Sequence, residues 1–197
     1  MTFYINGIGV GKDPEFFERD NTYKNNFNLI GNSIHNIKII NNFIANDVCE
    51  KIVNFTKNII KTDFLERDGF WDEMVHKDDI LVNMLLPYVS LIQEIVEKEY
   101  KISIQMSNDP YVVKWSAGKE LGFHVDDLGS GSNHISTLMY LNNDYEGGEI
   151  SFLTHKLSIK PKTGDLIIFP GNLNYAHKVT KITSGERYTS PIWFQFK

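Results

Sequence analysis

The 197-residue chain has a single cysteine, Cys49, which excludes an internal disulfide and fits a reducing compartment. No apolar run in the sequence approaches the length of a membrane span. The start, Met1 to Asn6, lacks the basic region and long apolar core of a secretory leader. A cytoplasmic protein with no membrane partner is therefore expected. Positive charge is also short: 20 Lys and Arg face 25 Asp and Glu, for a net charge of -5. That balance argues against a dedicated nucleic-acid binder, so no nucleic-acid partner is expected. There is no low-complexity linker and no internal repeat to divide the chain. Hydrophobic residues at 42% and charged residues at 23% are ordinary for a globular protein. One domain over 1–197 is the resulting expectation, with 1–100 an irregular arm and supporting helices and 101–197 a β core. The chain ends at Lys197, directly after its last predicted strand, so no appendage hints at a partner, and the sequence leaves the oligomeric state open.

What is present changes character along the chain. Asn fills nine positions between 21 and 46, which favours turns, and Ile37 to Ile40 is a candidate strand. Asp47 and Glu50 then fit a capping box. Val48, Ile52, Phe55, Ile59 and Ile60 follow at helical spacing and predict one apolar face. A second helical region runs from about Asp78 to Tyr100, kinked or restarted at Pro87, with Leu91, Ile92, Ile95 and Val96 as its buried face. From Lys101 onward, short apolar or alternating runs are separated by turn residues: 101–106, 110–116, 134–142, 148–153, 157–161, 165–170, 177–182 and 187–196. Eight such strands predict a two-sheet jelly roll, and the fold class is mostly β with N-terminal helices.

The chemistry concentrates in that β region. His124 and Asp126 are two apart, and on a strand residues i and i+2 share a face. His177 follows the loop Pro170-Gly171-Asn172-Leu173-Asn174 at the start of a predicted strand. Two imidazoles and one carboxylate are the ligand set of a non-haem Fe(II) site with open positions, and the absence of thiolate argues against structural zinc. His-x-Asp alone is a weak signal, since a histidine near a strand start is usually a polar surface residue. Arg187, ten residues after His177, gains meaning beside the triad, because a planar cation pairs bidentately with a carboxylate. The remaining histidines, His35, His76, His134 and His155, are read as structural.

The order of motifs carries more. Trp115-Ser-Ala-Gly118-Lys-Glu-Leu121-Gly-Phe-His124-Val-Asp126 resembles the metal-binding segment of the prolyl 4-hydroxylase-like 2-oxoglutarate/Fe(II) dioxygenases. So do Leu138 to Asn142, Gly147-Gly148-Glu149, Pro161 to Asp165, Phe169-Pro170-Gly171, and the run from His177 through Arg187-Tyr188 to Trp193. The resemblance covers about residues 100 to 197. More loosely, Ile39 to Phe43 with the helix holding Cys49 resembles the segment that leads into the domain. It implies a double-stranded β-helix (jelly roll, cupin-like) and Fe(II) held by His124, Asp126 and His177. It also implies 2-oxoglutarate chelated through its keto acid end, Arg187 on the far carboxylate, and ascorbate as a reductant.

Ser136 and Tyr140 share a strand face and are expected to hydrogen-bond the cosubstrate, as is Trp115 at its border. Trp193 shares parity with Arg187 and is expected to line a substrate site. Family members often carry tyrosine where this chain has Trp115, and an aromatic residue where it has Leu121. Those departures point either to a rebuilt cosubstrate contact or to a substrate other than peptidyl proline. The presence of Asp126 favours hydroxylation over halogenation. The expected reaction is hydroxylation of an unactivated C–H bond, foremost in a peptidyl proline. The alternatives are a hydroxylase of a free amino acid or other small molecule, and a non-catalytic jelly roll that binds a partner. Loops 62–79 and 127–133 are candidate substrate lids.

Overall fold

The computed structural model describes residues 30–59, 78–127 and 134–197, together with the backbone of 3–5, 8–10 and 73–75. His76, Ile60, Ser130 to Asn133 and most of both candidate lid loops lie outside the described residues. The elements in chain order are β1 (Phe3–Ile5), β2 (Ile8–Val10), β3 (Lys38–Ile40), α1 (Asn46–Asn58), β4 (Glu73–Val75) and α2 (Asp79–Tyr100). Then come β5 (Ile104–Met106), β6 (Val112–Ser116), β7 (Leu121–His124), β8 (Ile135–Tyr140), β9 (Ile150–Phe152), β10 (Leu157–Ile159), β11 (Leu166–Pro170), β12 (His177–Val179) and β13 (Glu186–Phe196).

Two sheets result, and among the described residues all strand pairings but one are antiparallel. The large sheet runs β3-β11-β8-β13-β6-β4, with β5 also paired to β13; the small sheet runs β10-β9-β12-β7-β1-β2. The exception is β1, which lies parallel to β7. All eight runs expected from residue 101 onward contain a strand. Within 101–106 the strand begins only at Ile104, because Lys101 adopts a left-handed conformation (φ 55°) as the C-cap of α2. The expected set omitted β7, the strand that carries His124.

Alternation along the strands of the large sheet sorts residues to its two faces. Ile135, Met139, Leu166, Ile168, Val112, Tyr188, Ile192 and Phe194 join the helices in one apolar core. The intervening positions point the other way: Tyr140, Ile167 and Phe169 enter a cluster with Ile150 and Phe152 of the small sheet. Val113 and Trp115 enter another with Leu121, Val179 and Trp193. The space between the sheets is thus walled by two separate apolar clusters.

The helices differ from expectation in detail. Asp47 does not cap α1: the cap position is Ala45, which makes no side-chain bond, and Asp47 pairs with Lys51 across one turn at 3.1 Å. The buried face of α1 is Cys49, Ile52, Val53 and Thr56, while Val48, Phe55 and Ile59 are partly buried beside it. Asp78 does cap α2, its carboxylate accepting from the amides of Ile80 and Leu81 at 3.0 and 2.9 Å. The helix continues through Pro87 instead of restarting. Its buried stripe is Leu81, Leu85, Val89, Ile92 and Val96. Leu91 is 47% exposed, because α2 turns that side away from the sheet. By length and composition alone α2 could cross a membrane, contrary to the reading of the sequence, yet its buried stripe belongs to the core shared with the large sheet.

Candidate metal centre

The last residue of β7 and the first of β12 meet across the small sheet: His124 and His177 are register partners on antiparallel strands. Directly opposed residues present side chains to one face, and the two imidazole centroids stand 4.2 Å apart. Asp126 is not on the strand as expected; it sits in the bend after it. Its carboxylate still reaches both rings, with Oδ1 3.6 Å from His124 Nε2 and Oδ2 3.9 Å from His177 Nε2. One ligand atom from each of the three lies within 4.8 Å of the others, so the group can hold a metal ion. The bend is held down by its neighbours: Val125 and Asp127 are buried, and the Asp127 amide donates to the Gly171 carbonyl at 2.9 Å.

Ring orientation is set by the backbone. His124 Nδ1 lies 3.0 Å from the Gly122 carbonyl, and His177 Nδ1 lies 3.1 Å from the Tyr175 carbonyl. A carbonyl only accepts, so each Nδ1 carries the proton and each Nε2 offers a lone pair towards Asp126. Burial, reinforced by the neighbouring His124, pushes His177 down to about 4, which keeps it in the neutral, ligating form. Burial works against ionising Asp126, but the neighbouring His177 and His124, and to a smaller degree Ser136 and Trp193, hold it below its ordinary 3.8. Phe169 meets the His177 ring edge-on at 4.7 Å, and Phe152 lies 5.7 Å from it.

Arg187, near the start of β13, is 1% exposed. It faces Trp115 in register, and its guanidinium carbon lies 5.5 Å from the Trp115 ring and 5.1 Å from that of Tyr140. Its one hydrogen bond among the described residues is a long 3.4 Å contact from Nη2 to the Tyr140 hydroxyl, and its Nε has no partner. No carboxylate among the described residues pairs with it. An uncompensated buried cation is costly, so this position is complementary to an anion brought by a ligand. Burial pushes the Tyr140 hydroxyl up to about 12, so it stays protonated and able to donate. Gly148 (φ 70°) makes room here: a Cβ would stand 2.9 Å from Tyr145 Cε2 and 3.1 Å from Arg187 Cδ.

Trp115, Ser136, Tyr140 and Trp193, expected to contact the cosubstrate or substrate, lie on the face of the large sheet that turns to this space. Trp193 packs in the cluster of Trp115 and Leu121, and Ser136 is its register partner on β8. Leu121 is 8% exposed and fills that cluster. Glu149 bonds Thr180 through both its amide and its carboxylate, and so joins β9 to the end of β12. Lys114, facing away from Trp115, pairs with Glu186 at 3.1 Å. His134 stacks on Phe196 at 4.0 Å and accepts from its amide, and His155 lies over Tyr175 at 4.9 Å. Sequence reasoning missed Tyr145 as a neighbour of Arg187 and Tyr175 as a neighbour of His177. The only signal for Tyr145 was its place just before the two glycines.

The donor set fits the groups that the resemblance implies. Two neutral imidazoles and a carboxylate suit Fe(II), and the unpaired guanidinium suits a dicarboxylate with one end free. Residues 111–195 match the 2OG-Fe(II) oxygenase superfamily. A putative prolyl 4-hydroxylase of Acanthamoeba polyphaga mimivirus is 24% identical over 177 residues, covering 80% of this chain and 73% of that one. The viral collagen prolyl hydroxylase of Paramecium bursaria Chlorella virus-1, solved as a 2OG complex, shares the fold with a TM-score of 0.64 at 19% identity, over 82% of this chain and 96% of that one. A prolyl hydroxylase from Trichoplax adhaerens, solved with a hypoxia inducible factor peptide fragment, shares it with a TM-score of 0.67 at 15% identity, over 94% of each chain. The matched residues run from just before β6 into β13 and contain the whole ligand set, so the stretch that carries the candidate site matches a 2OG-Fe(II) oxygenase domain, which indicates a dioxygenase.

Proposed function

We propose that the protein hydroxylates an unactivated C–H bond of a peptidyl proline. In this reading His124, Asp126 and His177 hold Fe(II), and Arg187 holds the far carboxylate of 2-oxoglutarate. The observation that carries it is the buried Arg187, without an anionic partner among the described residues, beside the cluster of two histidines and one aspartate. Bound there, iron and 2-oxoglutarate supply the activation of dioxygen, with the keto acid oxidised to succinate and carbon dioxide. The chain's own residues bind and orient. The carbonyls of Gly122 and Tyr175 keep both Nε2 atoms unprotonated, and the charge field of the site, His177 and His124 foremost, favours ionised Asp126. Tyr140 and Arg187 donate to the cosubstrate. Trp115 backs Arg187 with its ring face, and Phe152 and Phe169 exclude water from one side of His177.

The peptidyl substrate is supported by the mimivirus relative and by the peptide seated on the Trichoplax structure. Ascorbate serves as the reductant in this reading, and the cytoplasm, suggested by the lone cysteine, as the compartment. The test begins with anaerobic titration by Fe(II) and 2-oxoglutarate. A weak visible charge-transfer band is expected, absent in His124→Ala. Proline-rich peptides are then screened by mass spectrometry for the gain of one oxygen atom. Folded, metal-loaded protein that shows no band removes the cofactor assignment. A band with turnover of a free amino acid, and of no peptide, moves the substrate to the small-molecule alternative.

A further inference from the structure

Tyr175 touches a proposed iron ligand through its carbonyl and the N-terminal segment through its side chain, which takes no part in the proposed reaction. It ends a 3-10 turn, Leu173–Tyr175, capped by the buried Asn172, whose side chain accepts from the Asn174 amide at 3.0 Å. The Tyr175 amide donates to the Asn172 carbonyl at 2.9 Å, and the Tyr175 carbonyl is the group that holds His177 Nδ1. The ring is 1% exposed and packs in the cluster of Ile37, Phe152 and Phe169.

The hydroxyl of Tyr175 is bonded in excess. It accepts from the Ser33 amide at 3.1 Å and from Asn36 Nδ2 at 2.9 Å. It shares its own hydrogen between the carbonyls of Gly31 (3.1 Å) and Ser33 (3.0 Å). These partners lie 139 to 144 residues away in sequence. Asn36 is fixed in turn: its Nδ2 also donates to the Ile30 carbonyl at 2.8 Å, and its own carbonyl accepts from the Tyr100 hydroxyl at the end of α2, at 2.5 Å. Four groups converging on one oxygen leave the ring a single position. The backbone of the same residue then presents its carbonyl to His177 at a set place. Partners of this kind matter because a ligating ring must be held close to its productive orientation.

We propose that Tyr175 is a positioning residue for His177, and that the segment 31–36, braced by Tyr100, acts on the metal centre through it. The proposal rests on reading His177 as a ligand. The test uses the full chain, stripped of metal and titrated with Co(II) as the probe, followed by calorimetry and by the ligand-field absorption of the bound ion. Tyr175→Phe keeps the ring and deletes the hydroxyl. It is expected to bind Co(II) about 10-fold more weakly, with an altered ligand-field spectrum. Asn36→Leu weakens binding in the same direction from the far side of the hydroxyl. Because both act through one contact, the double variant binds no more weakly than Tyr175→Phe alone.

A merely structural role would lower the unfolding temperature and leave the affinity and spectrum of the folded protein unchanged. That result in Tyr175→Phe overturns the proposal, and so does a fully additive loss in the double variant. Should Tyr175→Phe fail to fold, Asn36→Leu decides by the same two readouts. Wild-type protein that takes up no Co(II), or His177→Ala that binds as tightly as wild type, instead removes the ligand assignment, and this proposal with it.

Discussion

The two faces of the large sheet are built from neighbouring residues of the same strands, yet they do opposite things. Towards the helices, Ile135, Met139, Leu166, Ile168, Ile192 and Phe194 are all 0% exposed and pack with Leu85 and Ile92, also 0% exposed. Towards the small sheet, buried Ser136, Tyr140, Arg187 and Thr189 interrupt the apolar surface and leave two clusters where the other face has one. The helix side is apolar apart from the buried hydroxyls of Thr137 and Ser190, and its strands bring no buried charge to it. The site side holds a buried cation that its described neighbours do not neutralise. Stability is expected mainly from the first face, and affinity for ligands from the second.

The largest effect expected is on the helix face. Leu85→Ala should cost about 2–5 kcal/mol of stability in urea denaturation, while the folded variant binds 2-oxoglutarate as wild type does. A parallel loss of cosubstrate affinity would show that the faces are not independent. On the other side, Arg187→Leu should weaken 2-oxoglutarate binding about 100-fold by calorimetry, roughly 2.7 kcal/mol. Its unfolding free energy should hold or rise, because a buried charge lacking an anionic partner has been removed. A large loss of stability would mean that the guanidinium belongs to the scaffold.

Gly148→Ala is intermediate. The left-handed backbone costs about 1–2 kcal/mol with a side chain, and the new Cβ pushes on Tyr145 and Arg187. A Tm loss together with about 10-fold weaker cosubstrate binding is expected, since Arg187 must shift; undiminished affinity would place the strain in Tyr145 alone.

The smallest effect is on pH dependence. Burial lowers both His134 and His155 below the ordinary 6.5. Near and below pH 6.5 the unfolded chain therefore takes up protons that the folded chain does not, and stability falls as pH drops from about 6.5 towards 5. A Tm decrease of a few degrees across that range is expected, reduced in His134→Gln. An unchanged decrease in that variant would assign it to other groups.

Much of the β region was legible because alternation and turn residues mark strands directly: each of the eight runs from 101 onward contains one. What escaped has a common cause. β7 reads Leu-Gly-Phe-His, only four residues long, and its pairing with β12 shifts register between His177 and Val179, so it has no extended pattern of its own. Leu91 fits the helical period as well as Val89 does, but only the docking angle of α2 says which of them meets the sheet. Asp47 looked like a cap, and the chain placed the cap two residues earlier, at Ala45. The metal-site residues were legible as a set of types in order, though the position of Asp126 beyond the strand was not.

From its residues alone the chain specified the chemistry available to it: two imidazoles, one carboxylate and one arginine, in an order that names iron and a dicarboxylate. Ligand identity is a property of side chains, and side chains are written in the sequence. Only the folded chain decided that His124 faces His177 across two strands, that Arg187 is buried without an acidic partner among the described residues, and that a tyrosine hydroxyl at 175 is gripped by residues 31–36. Register, burial and contacts spanning more than a hundred residues depend on how whole sheets and helices pack. No local pattern encodes that packing.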